Sequence, residues 1–192
     1  MATITEDLVV SSVVSSTGVS DWDRTTASDD SNASFATVST GNGTITFELT
    51  NLSQTPTSVI SAQMIHESNA GAAATAVIQA EMLTGSNTQI NTQFTSFSTT
   101  SDTTVELTTH TTNALTSAAF TENDINTLRI KLTYITEAGA VGDAQIDHFF
   151  VRVKYNVADP TAGTIKLNLG KVKLNSGLIK LWIYLIILKN DY

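Results

Sequence analysis

The chain has 192 residues, 41% of them hydrophobic and only 15% charged, with a net charge of −8 and no cysteine. That length holds one domain of ordinary size and an appendage rather than a large multidomain enzyme. The missing thiols exclude disulfide scaffolds, iron–sulfur clusters and thiolate zinc sites, and the acidic balance argues against nucleic-acid binding, which needs clustered Lys and Arg to neutralise phosphates.

Ser and Thr fill the place of the missing charges, with 19 Ser and 32 Thr. Thr is β-branched and suits a half-buried pleated surface, so strands are expected throughout and a helical bundle is not. The amino terminus lacks a basic stretch leading into an apolar run, so no secretory signal is expected. The first β-rich run is Leu8 to Val14. After it comes an acidic segment with Asp21-Trp22-Asp23 and Asp29-Asp30-Ser31-Asn32. Hard carboxylate oxygens there suit Ca²⁺, and Trp22 offers a face on which a sugar ring can stack. The glycine-bearing twelve-residue calcium loop is absent, and a solvated loop anchored by Trp22 explains the same residues.

Ala33 to Ser39 and Thr44 to Thr50 follow, joined by Thr40-Gly41-Asn42-Gly43, which predicts a hairpin. Ile45, Phe47 and Leu49 alternate cleanly and are candidate core residues. Val59 to Ser68, Ala74 to Leu83, Gln93 to Thr99 and Thr103 to Thr109 continue the series between Gly, Asn, Ser and Asp breaks. Phe94 and Phe97 do not fall on one face of an ideal strand, which predicts a bulge or loop there. Thr121 ahead of Glu122 and Asp124 predicts one capped helical turn. Leu128 to Ile135 and Ile146 to Tyr155 are two long alternating strands. About eight strands at this spacing predict an all-β fold, a jelly-roll β-sandwich over residues 1–157.

Three histidines, His66, His110 and His148, have no second ligand at metal spacing and read as structural. No nucleophile elbow, phosphate loop or dinucleotide fingerprint occurs, so no catalytic residue, cofactor or metal is assigned and an enzyme is not expected.

A boundary falls at Asp159-Pro160-Thr161-Ala162-Gly163, a linker signal. Residues 1–157 carry five cations against sixteen acids, a balance of −11, whereas residues 158–192 balance at +3. The second stretch repeats every seven residues, Ile165-Lys166-Leu167-Asn168-Leu169-Gly170-Lys171 followed by Val172-Lys173-Leu174-Asn175-Ser176-Gly177-Leu178. Its alternation has period two and its glycines disfavour a helix, so a tail of short strands is expected. Lys166, Lys173 and Lys180 form one face, suited to an acidic partner. From Leu181 through Trp182, Tyr184, Ile186 and Leu188 both faces of a strand are apolar, which calls for cover by another subunit or partner, or by folding back onto its own domain. Eleven apolar residues are too few to cross a bilayer as a helix.

The order of a first β segment, the Asp21-Trp22-Asp23 loop, the Asp29 to Phe35 run and Thr44-Ile45-Thr46-Phe47-Glu48-Leu49 resembles jelly-roll domains of tailed-bacteriophage virion proteins. Thr121 to Leu128 followed by Phe149-Phe150-Val151-Arg152-Val153-Lys154-Tyr155 is similar to the ending of such domains. The resemblance implies a non-enzymatic virion protein, a capsid decoration or cement protein assembled in the host cytoplasm. Its expected partners are its own copies, as a homotrimer, and a major capsid or other virion protein, with no nucleic acid and no membrane. The alternative is a carbohydrate-binding module of a tail fibre, with a glycan as partner.

Overall fold

The structure, a computed structural model, describes residues 1–18, 36–38, 43–69, 76–97, 103–135 and 144–159. Its strands are β1 (Ala2–Thr17), β2 (Ala36–Val38), β3 (Thr44–Leu49), β4 (Ser58–Asn69), β5 (Ala76–Leu83) and β6 (Gln89–Phe97). They continue as β7 (Thr103–His110), β8 (Thr112–Asn113), β9 (Ala118–Ala119), β10 (Arg129–Ile135) and β11 (Ala144–Val157), with one short helix, α1 (Glu122–Asn126). All pairings are antiparallel.

The ladder runs β6-β5-β10-β3-β1-β11-β4-β7, with β2 beside β11. It divides within β1, whose residues Ala2 to Val9 pair with β11 while Val10 to Thr17 pair with β3. One sheet is therefore β1-β11-β4-β7 and the other β1-β3-β10-β5-β6. Numbering the eight long strands along the chain, the first sheet holds the first, eighth, third and sixth, and the second holds the second, seventh, fourth and fifth. This is the double Greek-key order of a jelly roll. β1 can turn between sheets because its register slips between Val10 and Ser12 and again between Val13 and Ser15. Each bulge adds a residue and bends the strand.

The jelly-roll order overturns the expected hairpin. β2 pairs with β11, whereas β3 pairs with β1 and β10, so Thr40 to Gly43 separates strands of different sheets. Turn chemistry is a local signal, whereas pairing depends on the ladders that β11 and β1 offer from elsewhere in the chain. The expected irregularity at Phe94 and Phe97 is also absent. Their register opposite Gln79 and Ala76 is continuous. A small hairpin, β8 with β9, lies between β7 and α1.

The tight reversal is at β5–β6, where Thr84 N–H donates to the Thr88 carbonyl at 2.8 Å and Asn87 adopts φ 63°. Helix α1 forms as expected: Asp124 N–H donates to Thr121 Oγ1 at 3.1 Å and Thr121 N–H to Asp124 Oδ2 at 2.8 Å. That reciprocal cap satisfies two otherwise orphaned donors.

Both sheets supply one core. Leu8, Met64, Val151 and Val153 face Ile45, Phe47, Ile78 and Ile130 in a single buried cluster. Phe47, at 1% exposure, lies in register with Val13 on β1 and Ile130 on β10. Burying a side chain of that size contributes roughly 1.5–3 kcal/mol. The described strands and helix all belong to one compact unit, Met1–Asp159.

Candidate functional site

A polar cleft of about 540 Å³ opens where the end of β3, the β5–β6 turn and the α1–β10 connection meet. Its floor is apolar, from Leu49 and Leu128, and its walls carry Glu48, Asn51, Asn126, Thr127 and Arg129. Alternation along β3 and β10 turns Ile45, Phe47, Ile130 and Leu132 inward, and the same alternation leaves Glu48 and Arg129 opposite one another on the outer face. Arg129 donates from Nε and Nη2 to Glu48 Oε1 at 3.2 and 2.7 Å, and from Nη1 to Asn87 Oδ1 at 3.0 Å. Ser12 Oγ donates to Glu48 Oε2 at 3.0 Å. The Arg129 hydrogen bond, aided by Ser12, holds the Glu48 carboxyl below the usual range. Asn126 Oδ1 accepts from Leu52 N–H at 2.9 Å, which ties α1 to the strand end that forms the opposite wall. Gly85 fits tightly: a Cβ there would sit 3.1 Å from Thr127 Cβ.

The cleft presents on its walls amide, hydroxyl, carboxylate and guanidinium groups that can donate and accept hydrogen bonds. Its carboxylate is committed to a guanidinium and a hydroxyl, so it is a poor base at neutral pH. Among the described residues no group of three or more His, Asp and Glu is placed to hold a metal ion.

The outer face of the other sheet is also built from ion pairs. Arg152 grips Asp7 with two bonds, Nε to Oδ1 at 2.8 Å and Nη2 to Oδ2 at 2.9 Å, and lies 3.8 Å from Glu106. Its guanidinium sits 5.4 Å from the Phe150 ring centroid, and His148 lies against the other part of that ring at 4.9 Å. The Asp7 hydrogen bond raises the Arg152 pKa. On the first face Lys131 pairs with Glu81 at 2.9 Å. Of the four described cations, Arg129, Lys131 and Arg152 are thus committed within the fold, and Lys154 is exposed.

The histidines fall in three environments. His66 is 1% exposed, with Nδ1 2.9 Å from Ser68 Oγ, and burial pushes its pKa down to about 4. His110 stands at the end of β7 against Gln93. His148 stacks on Phe150.

Asp21, Trp22, Asp23, Asp29 and Asp30, like Lys166, Lys173, Lys180, Leu181, Trp182, Tyr184, Ile186 and Leu188, are outside the described residues. The cleft residues Glu48, Asn126 and Arg129 were not singled out. Period-two alternation places Glu48 and Arg129 on outer faces, but their meeting depends on β3 pairing with β10 across a separation of 81 residues.

No family model matches the chain, and no curated protein matches it. Among solved structures it is similar to truncated AlyQ with CBM32 and alginate lyase domains, at 13% identity and a TM-score of 0.42, over 84% of this chain and 36% of that one. It is similar to Arthrobacter globiformis T6 isomalto-dextranase complexed with panose, at 10% identity and a TM-score of 0.41, over 79% and 23%. A likeness to infectious bursal disease virus Gx strain has 8% identity and a TM-score of 0.28, over 83% and 37%. The chain spans well under half the length of each. Scores this low carry no argument about function.

Proposed function

We propose that the chain is a non-enzymatic structural protein of a tailed-phage particle, a capsid decoration or cement protein. Its jelly roll sits on the shell and residues 158–192 dock it between neighbours. The observation that supports this reading is the charge division of the sequence, an acidic stretch over residues 1–157 that forms the sandwich and a basic, apolar stretch over residues 158–192. Three of the sandwich's described cations are spent on its own carboxylates, which leaves an acidic body for the lysines of a neighbouring tail. The apolar run from Leu181 to Leu188 supports a homotrimer, because closed symmetry covers such a run in every copy.

Light scattering on the full chain tests this, beside a Trp182→Asp, Ile186→Asp variant. The expected result is a wild-type mass three times that of the chain and a variant of monomer mass with an unchanged circular dichroism spectrum. A wild type that stays monomeric at all concentrations would remove the tail-driven assembly on which the reading depends.

The cleft beside α1 favours a second reading, a carbohydrate-binding module. Its apolar floor and amide, hydroxyl and guanidinium walls suit a neutral polyhydroxylated ring, and its volume lies within the range of small-molecule pockets. Calorimetric titration with neutral oligosaccharides separates the two: heat that disappears in Asn126→Ala supports the module, and no heat supports the particle role.

A further inference from the structure

The sandwich has a latch on the side where β6 and β7 meet. The β4–β7 register slips between Gln63 and Ile65, so Met64 stands opposite both Leu107 and Thr108. Such a bulge takes backbone groups out of the ladder and leaves them to find other partners. Two glutamines provide them. Gln63 Nε2 donates to the Leu107 carbonyl at 2.9 Å. Gln93, from the opposite sheet, accepts from Thr108 N–H through Oε1 at 2.7 Å and donates through Nε2 to the Thr108 carbonyl at 3.2 Å. Its amide thus pairs with Thr108 as a neighbouring strand's backbone would, and it joins the edge of one sheet to the edge of the other.

The fork fixes the protonation of its neighbour. Gln93 must aim Oε1 at Thr108 N–H, so its amide nitrogen is what faces His110 Nε2. The second amide hydrogen needs an acceptor there, and only a neutral imidazole with its hydrogen on Nδ1 supplies a lone pair on Nε2. A protonated ring would set donor against donor. Turning the amide over does not relieve the conflict, because it then places NH₂ against Thr108 N–H.

We propose that protonation of His110 unlatches β6 from β7 and opens that side of the sandwich. Among the described residues no carboxylate faces the ring to stabilise a proton on it. β6 presents the uncharged Gln93, and β4 presents Ala62 in register with His110. Glu106 on β7 and Lys154 on β11 occupy positions of the opposite face, the former beside Arg152. The other titratable side chain on the inner face of β4 is His66, in register with Val105. Burial already lowers the His110 pKa, so the latch is closed at neutral pH and weakens as pH falls below the ordinary imidazole range. Release returns both Thr108 backbone groups to water and frees two strand edges, the feature of a sheet that accepts another strand. The device does not depend on the particle role.

Hydrogen exchange on the full chain at pH 7.5 and 5.0, corrected for intrinsic rates, tests the latch. Exchange in residues 89–97 and 103–110 is read relative to residues 129–135. The edge strands should exchange roughly tenfold faster relative to that reference at pH 5.0, as expected for the loss of one or two hydrogen bonds. His110→Gln should abolish the pH dependence. Gln93→Glu should reverse it, since a carboxylate accepts from both Thr108 N–H and an imidazolium, making the edge tighter at pH 5.0 than at 7.5. A wild-type ratio that does not change with pH overturns the proposal whatever the variants do. So does a His110→Gln protein that keeps the wild-type drop, which assigns the effect to another group such as His66.

Discussion

The two open sides of the sandwich are closed by different means. On one side β1 itself passes from the first sheet to the second, so the closure is covalent chain with two bulges to steer it. On the other side no strand is shared, and closure rests on the Gln93 amide against Thr108. The first kind is made of the chain itself and depends on core packing behind the strand. The second has the energy of a few hydrogen bonds and sits beside a titratable ring. A jelly roll built this way has one firm side and one that responds to its surroundings.

The largest effect is expected on the firm side. Phe47 packs in register with Val13 just past the point where β1 turns, at 1% exposure. Phe47→Ala should lower the unfolding free energy by about 3–5 kcal/mol, through lost burial and the cavity left behind. Urea denaturation measures this, and a loss below 1 kcal/mol would mean that the turn of β1 is not held by the core.

Next in size is the acid response of His66, which packs in the β4 ladder behind the responsive side. Its folded pKa of about 4 lies below the ordinary 6.5, so the unfolded chain takes up a proton first. Stability is therefore complete above about pH 6.5, falls as pH drops through the window from 6.5 to 4, and levels off beneath it. The full loss is about 3 kcal/mol. Urea midpoints at pH 7.5 and 5.0 should separate in the wild type and converge in His66→Gln; midpoints that stay as far apart in the variant would assign the slope elsewhere.

The difference between the two sides also marks what sequence could and could not reveal. Alternation at Ile45-Thr46-Phe47-Glu48-Leu49 and along β10 identifies strands and their inner faces, because side-chain period is a local property. Thr121 and Asp124 announce α1 for the same reason. Pairing is not local. The Gly41-Asn42-Gly43 stretch predicts a hairpin from its own residues, yet β2 pairs with β11 and β3 with β1 and β10. Gln93 reads as an ordinary polar strand residue until the β4–β7 bulge is known. Glu48 and Arg129 read as two solvated charges until β3 lies beside β10. Asp21, Trp22 and the tail lysines stand out by composition alone and lie outside the described residues, so the structure neither joins nor separates them.

A smaller effect is expected at Tyr155, on the β1 side. Its hydroxyl donates to Glu6 Oε2 at 2.6 Å, and Glu6 also accepts from Ser53 N–H at 3.1 Å, fastening the β3–β4 connection over the end of β1. Tyr155→Phe keeps the buried ring and removes only the hydroxyl, so the loss should be about 1–2 kcal/mol, typical of a hydrogen bond to a charged acceptor. Hydrogen exchange at Ser53 locates it, and an unchanged Ser53 amide would show that Glu6 holds the connection without the tyrosine.

The smallest effect is expected where the interactions look richest, in the ion pair of the cleft. Arg129 and Glu48 have side chains 22% and 45% exposed, so water screens the attraction and competes for the same hydrogen bonds. A double-mutant cycle between Glu48→Gln and Arg129→Gln should give a coupling of about 0.5–1 kcal/mol that shrinks further in 1 M salt. The sign with pH follows from the lowered carboxyl: the coupling is present above the ordinary Glu range and is lost as pH falls through the lowered folded value. A coupling well above 2 kcal/mol would make this pair a structural fastener of β3 to β10. The expected small value leaves it as a polar wall whose stability contribution is minor and whose remaining N–H groups are free to engage whatever enters the cleft.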